Sequence, residues 1–462
     1  MNLTQIKQVI LFVGISLFVF TNAFAQNLTP NQTIVAKADE YMNAAEKIDG
    51  FSGAVLVARD GQPVFSKAYG MANYELDVPN KPQTVYRIGS ITKQFTSMAI
   101  MMLQERGKLN VNDSICKHLS DCPETWKPIA VRNLLTHTSG IINYGELPEF
   151  RNPATLINNA ETIITLLKNK PLEFAPGEKF AYSNSGYILL GMIVERTSGK
   201  DYDVFLQENI FVPLGMKNTG ENGSIRIVKN RASGYFRQAD TISNAALFSM
   251  RVAWSAGSMF STTEDLLLWD KALYTEKLVS RKSLDEMFIP FRDFLPGTGY
   301  AYGWMIGKQF DRQVMSHSGH VAGFSSSIIR FPADHVTVIV LSNNINAPSV
   351  SIGNALAAIV FGASYKSPNE RKTIALEPQA LEKYAGQYQL AAEVILAITI
   401  ANKRIIGRIT GLGNIELFAK SETDFFSKQI DAQIAFTKDA QGKVTGLTMH
   451  SGGCDISAQK IK

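Results

Sequence analysis

The chain has 462 residues, 45% of them hydrophobic and 19% charged, enough apolar content for sizeable cores and too much for wholesale disorder. Its 46 Lys and Arg against 41 Asp and Glu leave a net charge of +5, without the clustered basic run that a nucleic-acid partner needs. At roughly 150 residues per domain, this length predicts two or three units, one of them large enough for a catalytic cleft.

Residues 1–25 are predicted to be a secretory signal peptide. Lys7 is the only charged side chain before Lys37, an apolar stretch runs from Val9 to Phe20, and Ala23-Phe24-Ala25 precedes Gln26. The stretch is shorter than the roughly 20 apolar residues that cross a bilayer. No Cys follows the cleavage site to carry a lipid, so no membrane anchor is expected after cleavage. The mature balance would be 45 against 41, or +4, and the product exported to a periplasm or secreted.

From Phe51 to Gly70 apolar and polar residues alternate around Arg59-Asp60-Gly61-Gln62, which predicts a hairpin with an Asp-Gly turn. After Ser90, residues Ile91, Phe95, Met98, Ala99, Met102 and Leu103 follow a helical period up to Gly107, and their density predicts a buried central helix. Cys116 and Cys122 are close enough to close a small loop, and an oxidising compartment permits either the disulfide or two thiols. Cys454 is read as a small buried hydrophobe. Helical patterns at Tyr187 to Thr197 and Thr263 to Leu273 are separated by Gly- and Pro-marked loops. Strand patterns return at Ser325 to Phe331 and Val336 to Leu341, followed by a helical one from Ser351 to Phe361. Asn143 to Phe150 and Asp293 to Tyr300 are read as loops that shape a pocket.

Strands at both ends of a mainly helical middle predict one antiparallel sheet built from distant segments, with flanking helices and an inserted helical subdomain: an α/β plus all-α class. That unit is placed at 26–365 and a polar linker at 366–375. A third region, 376–462, carries short strand-like segments divided by turn residues and is read as a small antiparallel β-barrel or sandwich.

Three fragments carry chemistry. Ser90-Ile91-Thr92-Lys93 places a serine and a lysine one helical turn apart at a helix start, where a desolvated Lys can accept the serine proton and the helix N-terminus favours an oxyanion. Tyr182-Ser183-Asn184 offers a phenol to relay a proton and an amide to hold a substrate carbonyl. His317-Ser318-Gly319, followed by His320, precedes a strand; a Gly at a strand edge admits a substrate backbone, and a backbone N–H there supplies half of an oxyanion hole. Metal chemistry is not expected, because zinc sites want Cys and His at tight spacings and the six His offer only the pair His317 and His320.

In this order and at these separations the fragments resemble the serine β-lactamase and penicillin-binding-protein superfamily, in the branch of class C β-lactamases, DD-peptidases, D-aminopeptidases and esterases. The resemblance runs over roughly residues 40 to 362 and includes Leu134-Leu135-Thr136-His137-Thr138-Ser139-Gly140, Pro213-Leu214-Gly215-Met216 and Ala256-Gly257-Ser258-Met259. The C-terminal segment, entered at Leu381 to Tyr388, is similar to lipocalin-like domains appended to some members. The resemblance implies a β-lactamase-like fold and an acyl-enzyme on Ser90, with Lys93 and Tyr182 shuttling the proton and Asn184 positioning substrate. It further implies an oxyanion hole from the N–H groups of Ser90 and His320, with His317, Ser318 and Gly319 beside the substrate.

One departure matters. Family β-lactamases carry Lys-Thr-Gly where this chain has His-Ser-Gly, a form of the peptidase and esterase relatives. A His of pKa near 6.5 predicts recognition that changes between about pH 5.5 and 7.5. His137 is read as a structural loop residue, and Tyr144 and Trp304 as cleft aromatics or packing. The expectation is therefore a serine hydrolase of amide or ester bonds in D-residue peptides or cell-wall fragments. A carboxylesterase, a β-lactamase and a non-catalytic penicillin sensor or assembly protein follow in that order. No cofactor is implied, the partner is a small molecule or peptide, and the oligomeric state is left open.

Overall fold

The computed structural model describes residues 29–462 apart from 152–158, 222–226, 239–240, 296, 369–372, 392–393, 402–403, 412–413, 428–431 and 452–453. The predicted signal peptide lies outside the described residues. So do parts of the expected linker and the side chain of Cys454.

Helix α1 (Pro30–Asp49) begins at a capping box. Thr29 accepts from the Gln32 N–H, the Gln32 side chain accepts from the Thr29 N–H, and Pro30 occupies the first turn where no donor is needed. Strands β1 (Gly53–Arg59) and β2 (Gln62–Tyr69) form the expected hairpin. Asp60 and Gly61 both have positive φ, as the tight hairpin turn demands. Next come α2 (Thr92–Glu105), α3 (Asn184–Ser198) and α4 (Met250–Gly257). Strands β3 (Arg292–Leu295), β4 (Thr298–Tyr300), β5 (Met305–Gln309), β6 (Arg312–Val321), β7 (Phe324–Phe331) and β8 (Val336–Ser342) follow, then α5 (Ser349–Phe361).

These strands make one eight-stranded antiparallel sheet in the order β3-β4-β5-β6-β7-β8-β1-β2, so the first hairpin joins the last strands across the whole helical insertion. Every residue of β7 and β8 is buried because both faces are covered. Val55, Val57 and Val338 pack under α1 and α5. Their neighbours Ala54, Leu56 and Ile339 face the opposite core, which holds α2 and α3. Residues 92–103 of α2 are all buried, as the density of its apolar pattern implies. In the segment expected to be a pocket loop, residues 293–295 instead belong to the edge strand β3 and residues 298–300 to β4 beside it. Cys116 and Cys122 are joined by a disulfide.

The C-terminal region is a closed barrel of eight antiparallel strands, Gly386–Ala391, Val394–Ala401, Arg404–Ile409, Asn414–Ala419, Asp424–Ser427, Ala432–Lys438, Val444–Ser451 and Cys454–Lys460. Tyr384, Phe425 and Phe436 meet ring to ring in its core, with centroids 4.6–5.4 Å apart. Closure removes the free sheet edges that an open sandwich would expose.

The sheet is tied to the helical region by a buried ion pair. Arg330 Nε lies 2.8 Å from Asp270 Oδ1, and the Thr337 hydroxyl donates to Asp270 Oδ2 at 2.6 Å. Asp270→Ala leaves a buried guanidinium without its counter-charge and is expected to cost about 3–5 kcal/mol in urea unfolding. A loss below about 1 kcal/mol would show that this pair does not brace the sheet.

Candidate active site

Ser90 lies in a 3-10 turn, Gly89–Ile91, that runs directly into α2. The turn is pressed against β6. A Cβ on Gly319 would fall 2.0 Å from the Ile88 carbonyl oxygen and 2.9 Å from the Ser90 nitrogen, and one on Gly89, whose φ is +51°, would fall 2.7 Å from the His320 nitrogen. The two glycines thus let the backbone nitrogens of Ser90 and His320 come side by side, the arrangement from which two N–H groups bind one oxyanion. β5 pairs with β6 only as far as Ser316, so beside Ser90 residues 317–321 are paired on one side only, with β7, among the described residues.

Lys93 is wholly buried one turn along α2. Its Nζ lies 3.0 Å from Ser90 Oγ, 2.8 Å from Asn184 Oδ1 and 2.7 Å from the Ala256 carbonyl oxygen. The amide and carbonyl oxygens can only accept, so they take two N–H bonds. A neutral amine then has its lone pair left for the serine hydroxyl. Burial drives the Lys93 pKa well below its ordinary value, because a desolvated ammonium is disfavoured.

The Ala256 carbonyl reaches Lys93 because the backbone of α4 breaks at Trp254, which has φ 26° and ψ −127°. The turned chain offers Ser255 O to the Thr96 hydroxyl at 2.7 Å and Ala256 O to Lys93, two last-turn carbonyls that have no partner within the helix. Sequence reasoning missed this feature, and no residue type in Arg251-Val252-Ala253-Trp254-Ser255 signals it.

Tyr182 enters from the loop before α3, and Asn184 is the first residue of that helix. Lys93 Nζ lies 4.9 Å from the Tyr182 ring centroid. Desolvation pushes the Tyr182 phenol pKa upward, and a hydrogen bond with Ser90 only partly opposes it. The group therefore stays a phenol, fit to donate and relay a proton, and not a phenolate base. His137, buried with φ +57°, holds this loop: its carbonyl accepts from the Ala181 N–H and its Nδ1 from the Ser183 N–H at 3.1 Å. Its ring lies 4.2 Å from the Tyr182 ring, and its Nε2 has no partner among the described residues. The expectation of a structural role agrees with this placement.

His317 is buried. Its Nδ1 donates to the Ser318 carbonyl at 2.7 Å, so its Nε2 accepts from the Tyr300 hydroxyl at 2.8 Å. Burial lowers its pKa to about 3, and the hydrogen bond to the Ser318 carbonyl only partly opposes it. Burial runs against the expected titration between pH 5.5 and 7.5, and Tyr300, which sequence reasoning passed over, is the partner of Nε2. Ser318 and His320 are partly exposed along β6. Tyr144 and Trp304 are buried packing residues, Tyr144 against Phe150 and Trp304 edge-on to Phe288. No group of three His, Cys, Asp or Glu suited to a metal occurs among the described residues.

A group with a lowered folded pKa takes its proton first in the unfolded chain, so His317 contributes stability above about pH 6.5 that is lost as the pH falls toward 3. His317→Asn is expected to show a smaller drop in unfolding free energy between pH 7 and pH 4 than the parent chain. An identical pH dependence would mean that His317 titrates normally.

Residues 38–360 match the Beta-lactamase family model, and residues 370–461 match a family described as a domain of unknown function (DUF3471). Penicillin-binding protein 4* of Bacillus subtilis (strain 168) is 30% identical over 434 residues, spanning 89% of this chain and 95% of that protein. The octameric penicillin-binding protein homologue of Pyrococcus abyssi superposes with a TM-score of 0.65 at 25% identity, covering 92% of this chain and all of that one. A D-stereospecific amidohydrolase from Streptomyces sp. superposes with a TM-score of 0.59 at 26% identity, covering 67% of this chain and 94% of that one.

Proposed function

The chain belongs to the Beta-lactamase family and is a serine hydrolase, and on that premise we propose that it is an exported hydrolase that forms an acyl-enzyme on Ser90 and cleaves amide bonds of D-residue peptides. The observation that carries this reading is the Lys93 amine, whose two fixed acceptors leave Ser90 as its third neighbour.

In the proposed reaction Ser90 Oγ attacks the substrate carbonyl carbon while neutral Lys93 takes the hydroxyl proton. The carbonyl oxygen becomes an oxyanion held by the N–H groups of Ser90 and His320. As the intermediate collapses, the Tyr182 phenol protonates the departing nitrogen and is itself reprotonated from Lys93. Water, deprotonated by the same pair, then attacks the ester and releases the acid. The Asn184 side chain fixes Lys93 through its oxygen and has its N–H groups left for a substrate carbonyl.

Substrate class follows from the third fragment and from the relatives. A neutral His317 offers no cation to a substrate carboxylate, so recognition here rests on the strand edge at residues 317–321 and on Ser318, which suits an extended peptide more than a β-lactam acid. The names of the Bacillus subtilis and Streptomyces proteins, a penicillin-binding protein and a D-stereospecific amidohydrolase, favour amides of D-residues over simple esters. Export rests on the leader pattern of residues 1–25.

Intact-mass analysis after a fluorophosphonate is expected to show a single adduct that Ser90→Ala abolishes, and amides of D-residues are expected to be turned over faster than their L counterparts. An adduct that persists in Ser90→Ala would refute the nucleophile. Lys93→Arg, whose guanidinium stays protonated and cannot act as a base, is expected to lower kcat/KM by about 10²–10⁴-fold. A Lys93→Arg protein near full activity would exclude the amine as base.

A further inference from the structure

The loop that carries Tyr182 has three successive N–H groups with three separate acceptors. Those of Ala181 and Ser183 bind the carbonyl and Nδ1 of His137, inside the same domain. The middle one, on Tyr182 itself, donates to the carbonyl of Gly411 at 2.8 Å, and Gly411 lies in the C-terminal barrel, in the turn between strands Arg404–Ile409 and Asn414–Ala419.

The turn is built for this approach. Gly411 has φ +77°, and a Cβ there would fall 2.6 Å from the Phe180 carbonyl oxygen, so neither the conformation nor the space admits a side chain. On the barrel side the neighbouring Thr410 is anchored: its N–H donates to Ile395 O at 2.9 Å, and its Oγ1 accepts from the Ile395 N–H at 3.0 Å. Phe180 stacks on Phe294 at 4.9 Å, and Leu295, next in the chain, packs against both this aromatic cluster and the barrel core. An exposed ion pair, Arg408 to Glu146 at 2.9 Å, spans the same seam and contributes little by itself.

We propose that Gly411 is a positioning residue of the hydrolytic site: its carbonyl sets the backbone of Tyr182, and hence the reach of the phenol toward Ser90, so that proton relay depends on the docked barrel. The proposal rests on the acyl-enzyme reading given above. Without this acceptor, the residue bearing the phenol is the one member of the anchored trio whose N–H is left unpaired. A shift of about 1 Å in a relay group is enough to slow a reaction about 10²-fold.

Gly442 supplies the control. It lies at another barrel turn with φ +81°, and a Cβ there would meet nothing within 4 Å, so Gly442→Ala carries the same left-handed backbone cost without touching the catalytic domain. Full-length Gly411→Ala, Gly442→Ala and Thr410→Val would be compared by Tm and by kcat and KM for p-nitrophenyl acetate, whose acyl-enzyme is hydrolysed by water that the Lys93–Tyr182 pair deprotonates. Gly411→Ala is expected to lower kcat about tenfold or more. Thr410→Val, which loosens the turn from the barrel side only, should lower kcat by less, and Gly442→Ala should move only Tm. Equal rates in Gly411→Ala and Gly442→Ala would overturn the proposal, as would an unchanged rate in Thr410→Val if Gly411→Ala did not fold. Failure of the parent reading is distinct, because the parent chain would then form no Ser90-dependent adduct at all.

Discussion

A primary amine held out of water by one serine hydroxyl, one amide oxygen and one peptide carbonyl is the constraint around which this molecule is organised. Desolvation is what lowers the Lys93 pKa, and no carboxylate among the described residues opposes it. The three oxygens come from three elements far apart in sequence: the turn into α2, the start of α3 and the break in α4. Each needs a local departure from regular structure, namely the positive φ of Gly89, the loop gripped by His137 and the left-handed Trp254. Such departures persist only where the surrounding packing over-determines them, and the two-faced core around α2 does so here.

The rest of the site keeps the amine's surroundings polar without charging them. His317 is tied as a neutral ring between the Ser318 carbonyl and Tyr300, and His137 likewise accepts a backbone N–H at Nδ1. Burial pushes the phenols of Tyr182, Tyr187 and Tyr300 upward, so all three stay protonated. A nucleophile and base thus sit among dipoles whose protonation is set by burial, which suits a reaction in which charge appears only transiently. Among the described residues the barrel meets this shell at the Tyr182–Gly411 backbone hydrogen bond and at Leu295, which is why a domain remote in sequence bears on Tyr182.

Much of this is legible in the amino-acid sequence alone. Period-2 alternation around Asp60-Gly61 and the helical period after Ser90 reflect local rules, and both elements stand where those rules place them. The barrel strands are readable for the same reason, though closure is not, since pairing the first strand with the last is a long-range event. Ser90, Lys93, Tyr182 and Asn184 stand out by motif and do converge. What stays hidden depends on tertiary contact: the carbonyl of Ala256 is a backbone atom turned by an unsignalled φ, burial lowers the His317 pKa beside a tyrosine 17 residues earlier, and Gly411 looks like any turn glycine.

Everything above turns on Lys93 being a neutral base at working pH. A ¹³C chemical-shift titration of the Lys93 ε-carbon, assigned by comparison with Lys93→Arg, tests it without recourse to a substrate. A neutral base predicts that the resonance is already that of a free amine at pH 7 and that its titration lies well below the ordinary lysine range. An ε-carbon that stays in the ammonium form through pH 7 and titrates near 10.5 would contradict it, and another group would have to take the proton from Ser90.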